Sequence, residues 1–274
     1  MQENKKTLTI PYFKSILINK FERKIISELS EKYEIVLYGG FNNNIMNSGR
    51  FQEERMTKKL SEDIKSLGNI KIGATLSNHI FDERVFEDEM IANYDEIILR
   101  DYKLLHKLQD DPRFKNTRLK FSITGHPIFV RVSNPGFRDA IKRYYRRLFN
   151  DFDIVVIHSE LIPKQWFYNF LIKEGYIDQT EIIINIIKGC NNCPRYPEHY
   201  KLISEGCRSK EVDTIYSCLL DPMPKNFTSQ AIPDSGKDIF FNRYRNIKFE
   251  GRTLSSFTHF IKVHPYIKEI YEKL

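Results

Sequence analysis

The chain has 274 residues, with 43 Lys and Arg against 36 Asp and Glu for a net charge of +7, and 41% of it is hydrophobic and 13% aromatic. That composition excludes a disordered or collagen-like chain, and no apolar run approaches the roughly 18 residues a membrane-spanning helix needs. The length suffices for one sizeable core, and the positive balance favours an anionic partner such as RNA, a phosphate or a carboxylate.

Runs rich in β-branched residues predict strands over Thr7–Tyr12, Glu34–Tyr38, Ile70–Leu76, Glu96–Arg100, Leu119–Ile123, Asp153–His158, Glu181–Ile186 and Asn246–Glu250. Amphipathic stretches predict helices over Lys20–Lys32, Phe51–Leu67, Asp82–Asn93, Tyr102–Gln109, Pro135–Asn150, Pro163–Glu174, Glu198–Glu205 and Leu254–Lys273. Asn134-Pro135 and the acidic turn at Asp82 mark helix starts, while Gly68 and Gly175 lie just past helix ends. Strands alternating with helices in this number predict an α/β fold, a TIM-type (β/α)8 parallel barrel occupying residues 1–274 as one domain. A Cys- and Pro-rich insertion over residues 187–244 follows the seventh strand, where it would cover the barrel mouth. The helix at 138–147 carries Arg138, Lys142, Arg143, Arg146 and Arg147, which reads as a solvated face or as a nucleic-acid footprint.

In a parallel barrel the chemistry sits where the strands run out into their loops. The strand ends here read Ser77-Asn78-His79, Arg100-Asp101, His158-Ser159-Glu160, Asn185 and Lys248-Phe249-Glu250-Gly251-Arg252. Asp101 and Glu160 are the candidates for proton transfer, because burial in a barrel mouth raises a carboxyl pKa toward neutrality. Lys248 and Arg252 are suited to an anionic group, with Asn78, His79, Asn185 and Glu250 as further substrate contacts. Polar residues also simply begin loops, and a histidine beside a strand end is often only hydrogen-bonded structure.

The four cysteines of the chain are Cys190, Cys193, Cys207 and Cys218, spaced C-x2-C-x13-C-x10-C. A C-x2-C pair aims two sulfurs at one ion from a single turn, and two further thiolates complete a tetrahedral zinc site or a [4Fe–4S] cluster. Spacing does not choose between these, and buried free thiols are the third reading. The amino-terminal residues lack a secretory h-region, so the expected location is cytoplasmic, where thiols stay reduced.

The block Glu181–Asn185, Gly189-Cys190-Asn191-Asn192-Cys193-Pro194 and His199-Tyr200, followed by Lys237-Asp238-Ile239 and Ile247-Lys248-Phe249-Glu250-Gly251-Arg252, resembles the collagenase-like peptidase family U-32. Weaker similarity runs through Lys71–Asn78, Asp95–Asp101 and Val155–Leu161, in the family's order. The family's glycine-rich start and its S-G-R-C run are absent, Lys188-Gly189-Cys190 standing in their place. The resemblance implies a barrel whose four cysteines bind a [4Fe–4S] cluster, with Asn78, Asp101, Glu160, Asn185, Lys248, Glu250 and Arg252 lining the cavity. It implies an oxygen-independent hydroxylase of RNA or of the ubiquinone ring, with prephenate as hydroxyl donor, or a related group-transfer enzyme.

The expected function is therefore an iron–sulfur enzyme acting on a small anionic molecule or RNA, served by an electron donor or partner subunit. Two alternatives stand beside it: a U-32-type peptidase, and a zinc-stabilised nucleic-acid-binding or partner subunit without catalysis. The peptidase reading lacks H-E-x-x-H, a G-x-S-x-G elbow and any cysteine outside the cluster.

Overall fold

Parallel pairing closes the chain into an eight-stranded barrel in strict sequence order, β1 to β8, with the last strand bonded back to the first. The computed structural model describes residues 5–39, 56–76, 86–87, 89–100, 102–122, 135–158, 161–184, 237–249 and 256–272. The strands are β1 Thr7–Pro11, β2 Glu34–Tyr38, β3 Ile70–Leu76, β4 Glu96–Leu99, β5 Arg118–Phe121, β6 Ile154–Val156, β7 Thr180–Ile184 and β8 Asn246–Phe249. Each lies within two residues of its predicted bounds. The predicted TIM-type barrel is the observed fold.

The helices are α1 Ser15–Ile18, α2 Lys20–Lys32, α3 Lys58–Lys65, α4 Tyr102–Asp110, α5 Arg138–Asp151, α6 Gln165–Glu174, α7 Lys237–Arg243, α8 Phe257–Val263 and α9 Pro265–Glu272. Local chemistry sets their ends. The Asn19 side chain accepts from the backbone N–H groups of Phe21 and Glu22, and the Thr57 hydroxyl accepts from Leu60 N, starting α2 and α3. Gly175 ends α6 in the left-handed region at φ 78°.

Three predicted helices differ. The stretch expected to start at Phe51 begins at Lys58, and residues 51–55 lie outside the described residues. Within the stretch from Asp82 to Asn93, Glu89–Asn93 winds as a 3₁₀ helix. The single helix expected to run to Lys273 is two, because Pro265 cannot continue an α-helix and forces His264 to φ −110°, ψ 88°. The insertion expected to be irregular over 187–244 ends in α7, and its residues 187–236 lie outside the described residues.

Period-2 alternation along each strand sorts the side chains into two layers. The outward face is apolar: Leu8, Ile10, Ile35, Leu37, Ile97 and Ile182 pack beneath Ile25, Leu29, Leu104, Leu148 and Phe167 of the helices. Burying each of these contributes about 1.5–3 kcal/mol, so this shell holds the helices on the barrel. Phe13 and α8 close one seam through the rings of Phe257 and Phe260, at centroid distances of 6.2 and 5.6 Å. Across the same seam Glu22 Oε1 accepts from the backbone N–H and the hydroxyl of Thr258.

Candidate functional site

The inward face of the barrel is where this chain departs from the usual filling of Val, Ile and Leu. Each strand is offset from its neighbour, so one level of the interior is filled alternately by odd and even strands. The register sets Val36, Glu96, Ile154 and Asn246 at one level and Thr9, Gly73, Lys120 and Glu181 at the next toward the carboxyl end. Above these lie Tyr38, Ile98, Val156 and Lys248, and then Pro11, Thr75, Ser122 and Ile183.

The lower levels hold a column of paired charges. Lys71 Nζ lies 2.6 Å from Glu34, and Arg118 contacts Glu34 at 2.7 Å and reaches Glu96 as well. Lys120, fully buried, bridges Glu96 at 2.8 Å and Glu181 at 2.6 Å. Thr9 Oγ1 donates to the same Glu181 oxygen at 2.8 Å. Isolated charges would be prohibitively costly here, and the column survives because each meets opposite charge. Burial pushes the Glu96 carboxyl up, but Lys120 and Arg118 outweigh it and hold it below the ordinary carboxylate range. Burial likewise pushes the Lys120 ammonium down, and Glu181 and Glu96 together raise it above its ordinary value.

Lys248 stands one level above Lys120, toward the mouth, and is 8% exposed. Its ammonium lies over the Tyr38 ring, 4.2 Å from the centroid. The Tyr38 hydroxyl donates to the carbonyl of Phe249 at 2.9 Å, tying the end of β2 to the end of β8. Across the mouth, Tyr145 of α5 sends its hydroxyl to the end of β6 and accepts from His158 N at 3.0 Å.

Of the residues proposed in the sequence as catalytic, substrate-binding or metal-binding, Lys248 alone lies among the described residues, and it faces into the upper barrel. Asn78, His79, Asp101, Glu160, Asn185, Glu250 and Arg252 lie outside them, as do Cys190, Cys193, Cys207 and Cys218. In sequence Asp101 lies two residues after the last of β4, whereas Asn185 and Glu250 directly follow the last residues of β7 and β8. No group of three or more His, Cys, Asp or Glu gathers into a metal site among the described residues. Sequence reading missed Glu34, Lys71, Glu96, Arg118, Lys120 and Glu181. The available signal was charge at alternate positions inside otherwise apolar strands, as in Arg118-Leu119-Lys120-Phe121.

The basic helix is α5. Arg146 pairs with Glu174 at 2.9 Å, and Lys142 and Arg147 lie 3.7 and 3.9 Å from Asp139 and Asp151. Arg138 and Arg147 also lie over the rings of Trp166 and Tyr102. Neighbouring acids and rings of this chain thus engage much of that face. No described helix is long and apolar enough to cross a membrane.

No family model and no curated protein matches the chain. Among solved structures it is similar to a 7,8-dihydropteroate synthase from Vibrio fischeri ES114, with 10% identity and a TM-score of 0.40, covering 100% of this chain and 96% of that one. A likeness of that degree carries no inference about activity.

Proposed function

We propose that this protein is an enzyme that takes a small anionic substrate at the carboxyl end of its barrel and carries a cluster on Cys190, Cys193, Cys207 and Cys218. The observation that carries the substrate class is Lys248, a cation buried in the upper barrel and facing the end where barrel chemistry occurs. Lysine placed so binds a carboxylate or phosphate as a point charge, worth more in this dry interior than in water. Asp101 and Glu160, which follow the ends of β4 and β6 in sequence, supply the proton-transfer groups of this reading.

The cluster is supported by the thiol donor set, which suits [4Fe–4S] and zinc alike, and by the resemblance to the U-32 family, which favours iron. An iron–sulfur cluster would supply redox or Lewis-acid chemistry to a hydroxylase or group-transfer enzyme. The test is metal and acid-labile sulfide analysis of protein purified without oxygen. Brown protein containing iron, whose iron is lost in Cys190→Ala and Cys193→Ala while the far-ultraviolet dichroism stays unchanged, is the expected result. Stoichiometric zinc without iron removes the redox half of the proposal. Unaltered anion binding in Lys248→Met removes the substrate half.

A further inference from the structure

The turn from α1 into α2 presents an apolar pair to solvent. Asn19 breaks the helix at φ −95°, ψ 113°, and its side chain accepts from the backbone N–H groups of Phe21 and Glu22. Just before it Ile16 and Leu17 turn to the core. Ile18 and Phe21 flank Asn19 and are 74% and 55% exposed. The other large apolar side chains exposed among the described residues are Phe137 and Ile172, each alone in its stretch of chain. Lone exposed apolar residues are ordinary; a pair this close, ringed by charge of one sign, is less so.

The helix start explains why the ring has one sign. A residue before the cap ordinarily packs on the fourth residue of the helix, but that residue is Arg23, itself exposed, so Ile18 gains no such cover. A glutamate at the third position ordinarily reaches back to the cap. Here Glu22 is 1% exposed, and its carboxylate accepts instead from the backbone N–H and hydroxyl of Thr258 in α8. The one acid between Lys14 and Lys24 is thereby withdrawn from the surface. Beside the apolar pair, Asn19 and the cations Lys14, Lys20, Arg23 and Lys24 remain exposed. Lys24 has Glu28 one turn on at 3.6 Å, whereas Lys20 and Arg23 have no acidic partner among the described residues.

We propose that this turn docks on an anionic membrane surface, with Ile18 and Phe21 entering the interface and Lys20 and Arg23 meeting lipid phosphates. The charge pattern chooses the occupant. A second copy of this chain would set four cations against four around a small apolar centre, and like charge opposes that pairing. A protein partner would need a pocket cut for each protruding side chain. A bilayer interface takes protruding apolar groups of any shape, and anionic headgroups complement the cations around them. Because α1 starts at Ser15, just past the end of β1 at Pro11, docking brings the carboxyl end of the barrel near the lipid. The surface is separate from the cysteines and from Lys248, and its test depends on neither.

The test is co-sedimentation of the full chain with vesicles of phosphatidylcholine alone or with about one third phosphatidylglycerol, at low and at physiological salt. The chain should bind the anionic vesicles, release as salt rises, and ignore the neutral ones. Ile18→Ser and Phe21→Ser should each weaken that binding about tenfold, and Lys20→Gln and Arg23→Gln about fivefold each. All four side chains are exposed, so the thermal midpoints should not move, which separates lost docking from lost folding. Phe21→Trp should shift its emission to the blue on anionic vesicles as the ring leaves water. Absence of binding to anionic vesicles overturns the proposal. Binding that Ile18→Ser and Phe21→Ser leave intact also overturns it, because that marks general attraction to a basic chain. Tighter binding to polyuridylate than to vesicles, weakened by the same four variants, assigns the patch to nucleic acid and overturns it as well.

Discussion

Lys120 and Glu181 meet at 2.6 Å in the middle of the barrel, both side chains fully buried. They come from β5 and β7, and the same ammonium holds Glu96 of β4, so one cation ties three strands together across the axis. Lys120→Met keeps the length of the side chain and removes the charge, leaving two carboxylates buried without it. Stability should fall by about 3–5 kcal/mol, read as a shift of the urea midpoint. An unchanged midpoint would mean that the column contributes nothing to holding the barrel closed.

The column also fixes the pH profile of stability. Burial opposes ionisation of Glu34 and Glu96, but the paired cations prevail and hold both carboxyls below the ordinary value of 4.5. Such groups stabilise the fold above the unfolded value, and that contribution is lost as pH falls through the lower folded value. Lys120 is held above its ordinary value of 10.5, so its contribution is complete below that pH and is lost as pH rises through the folded value. The thermal midpoint should therefore be level between these limits and drop on both sides. Glu34→Gln should shallow the acid limb in a thermal scan by circular dichroism, and an acid limb of unchanged slope would count against the assignment.

Gly68 and Gly73 should respond oppositely to alanine. Gly68 sits at φ 143°, and an added Cβ would lie 1.9 Å from Ser30 Oγ, so Gly68→Ala should destabilise by about 1–3 kcal/mol. Ser30→Gly in the same chain should recover the steric part and leave the backbone part. Gly73→Ala meets its neighbours at 3.4 Å or more and should change stability by less than about 1 kcal/mol. Denaturation midpoints of the three variants separate backbone strain from contact.

Tyr38→Phe keeps the ring beneath Lys248 and removes the donor to the Phe249 carbonyl. A buried carbonyl that loses its partner costs about 1–3 kcal/mol. The loss should appear both as a lower denaturation midpoint and as faster hydrogen exchange at the end of β8. Exchange confined to other strands would place the effect elsewhere.

Strand positions were legible because a strand buried on its outer face must repeat apolar residues every second position, and Ile35, Leu37, Ile97, Leu99, Ile182 and Ile184 do so. The terminal helices were less legible: helical periodicity runs through His264-Pro265, and the break there comes from backbone sterics rather than from hydrophobic pattern. Lys248 was found by its place at a strand end. The charged column went unread because a lysine or glutamate inside a strand looks like a solvent-facing alternate in an open sheet.

The sequence by itself determined the eight strands, their order and the outward apolar shell, since each depends on residues close together in the chain. Only closure of the sheet decided what the other face would meet. The stagger between strands, accumulated around the barrel, carries Glu96, Lys120 and Glu181 from separate segments to one axis and sets Thr75 and Lys248 on successive levels above them. No local pattern encodes that meeting, because its register is set jointly by all eight strands.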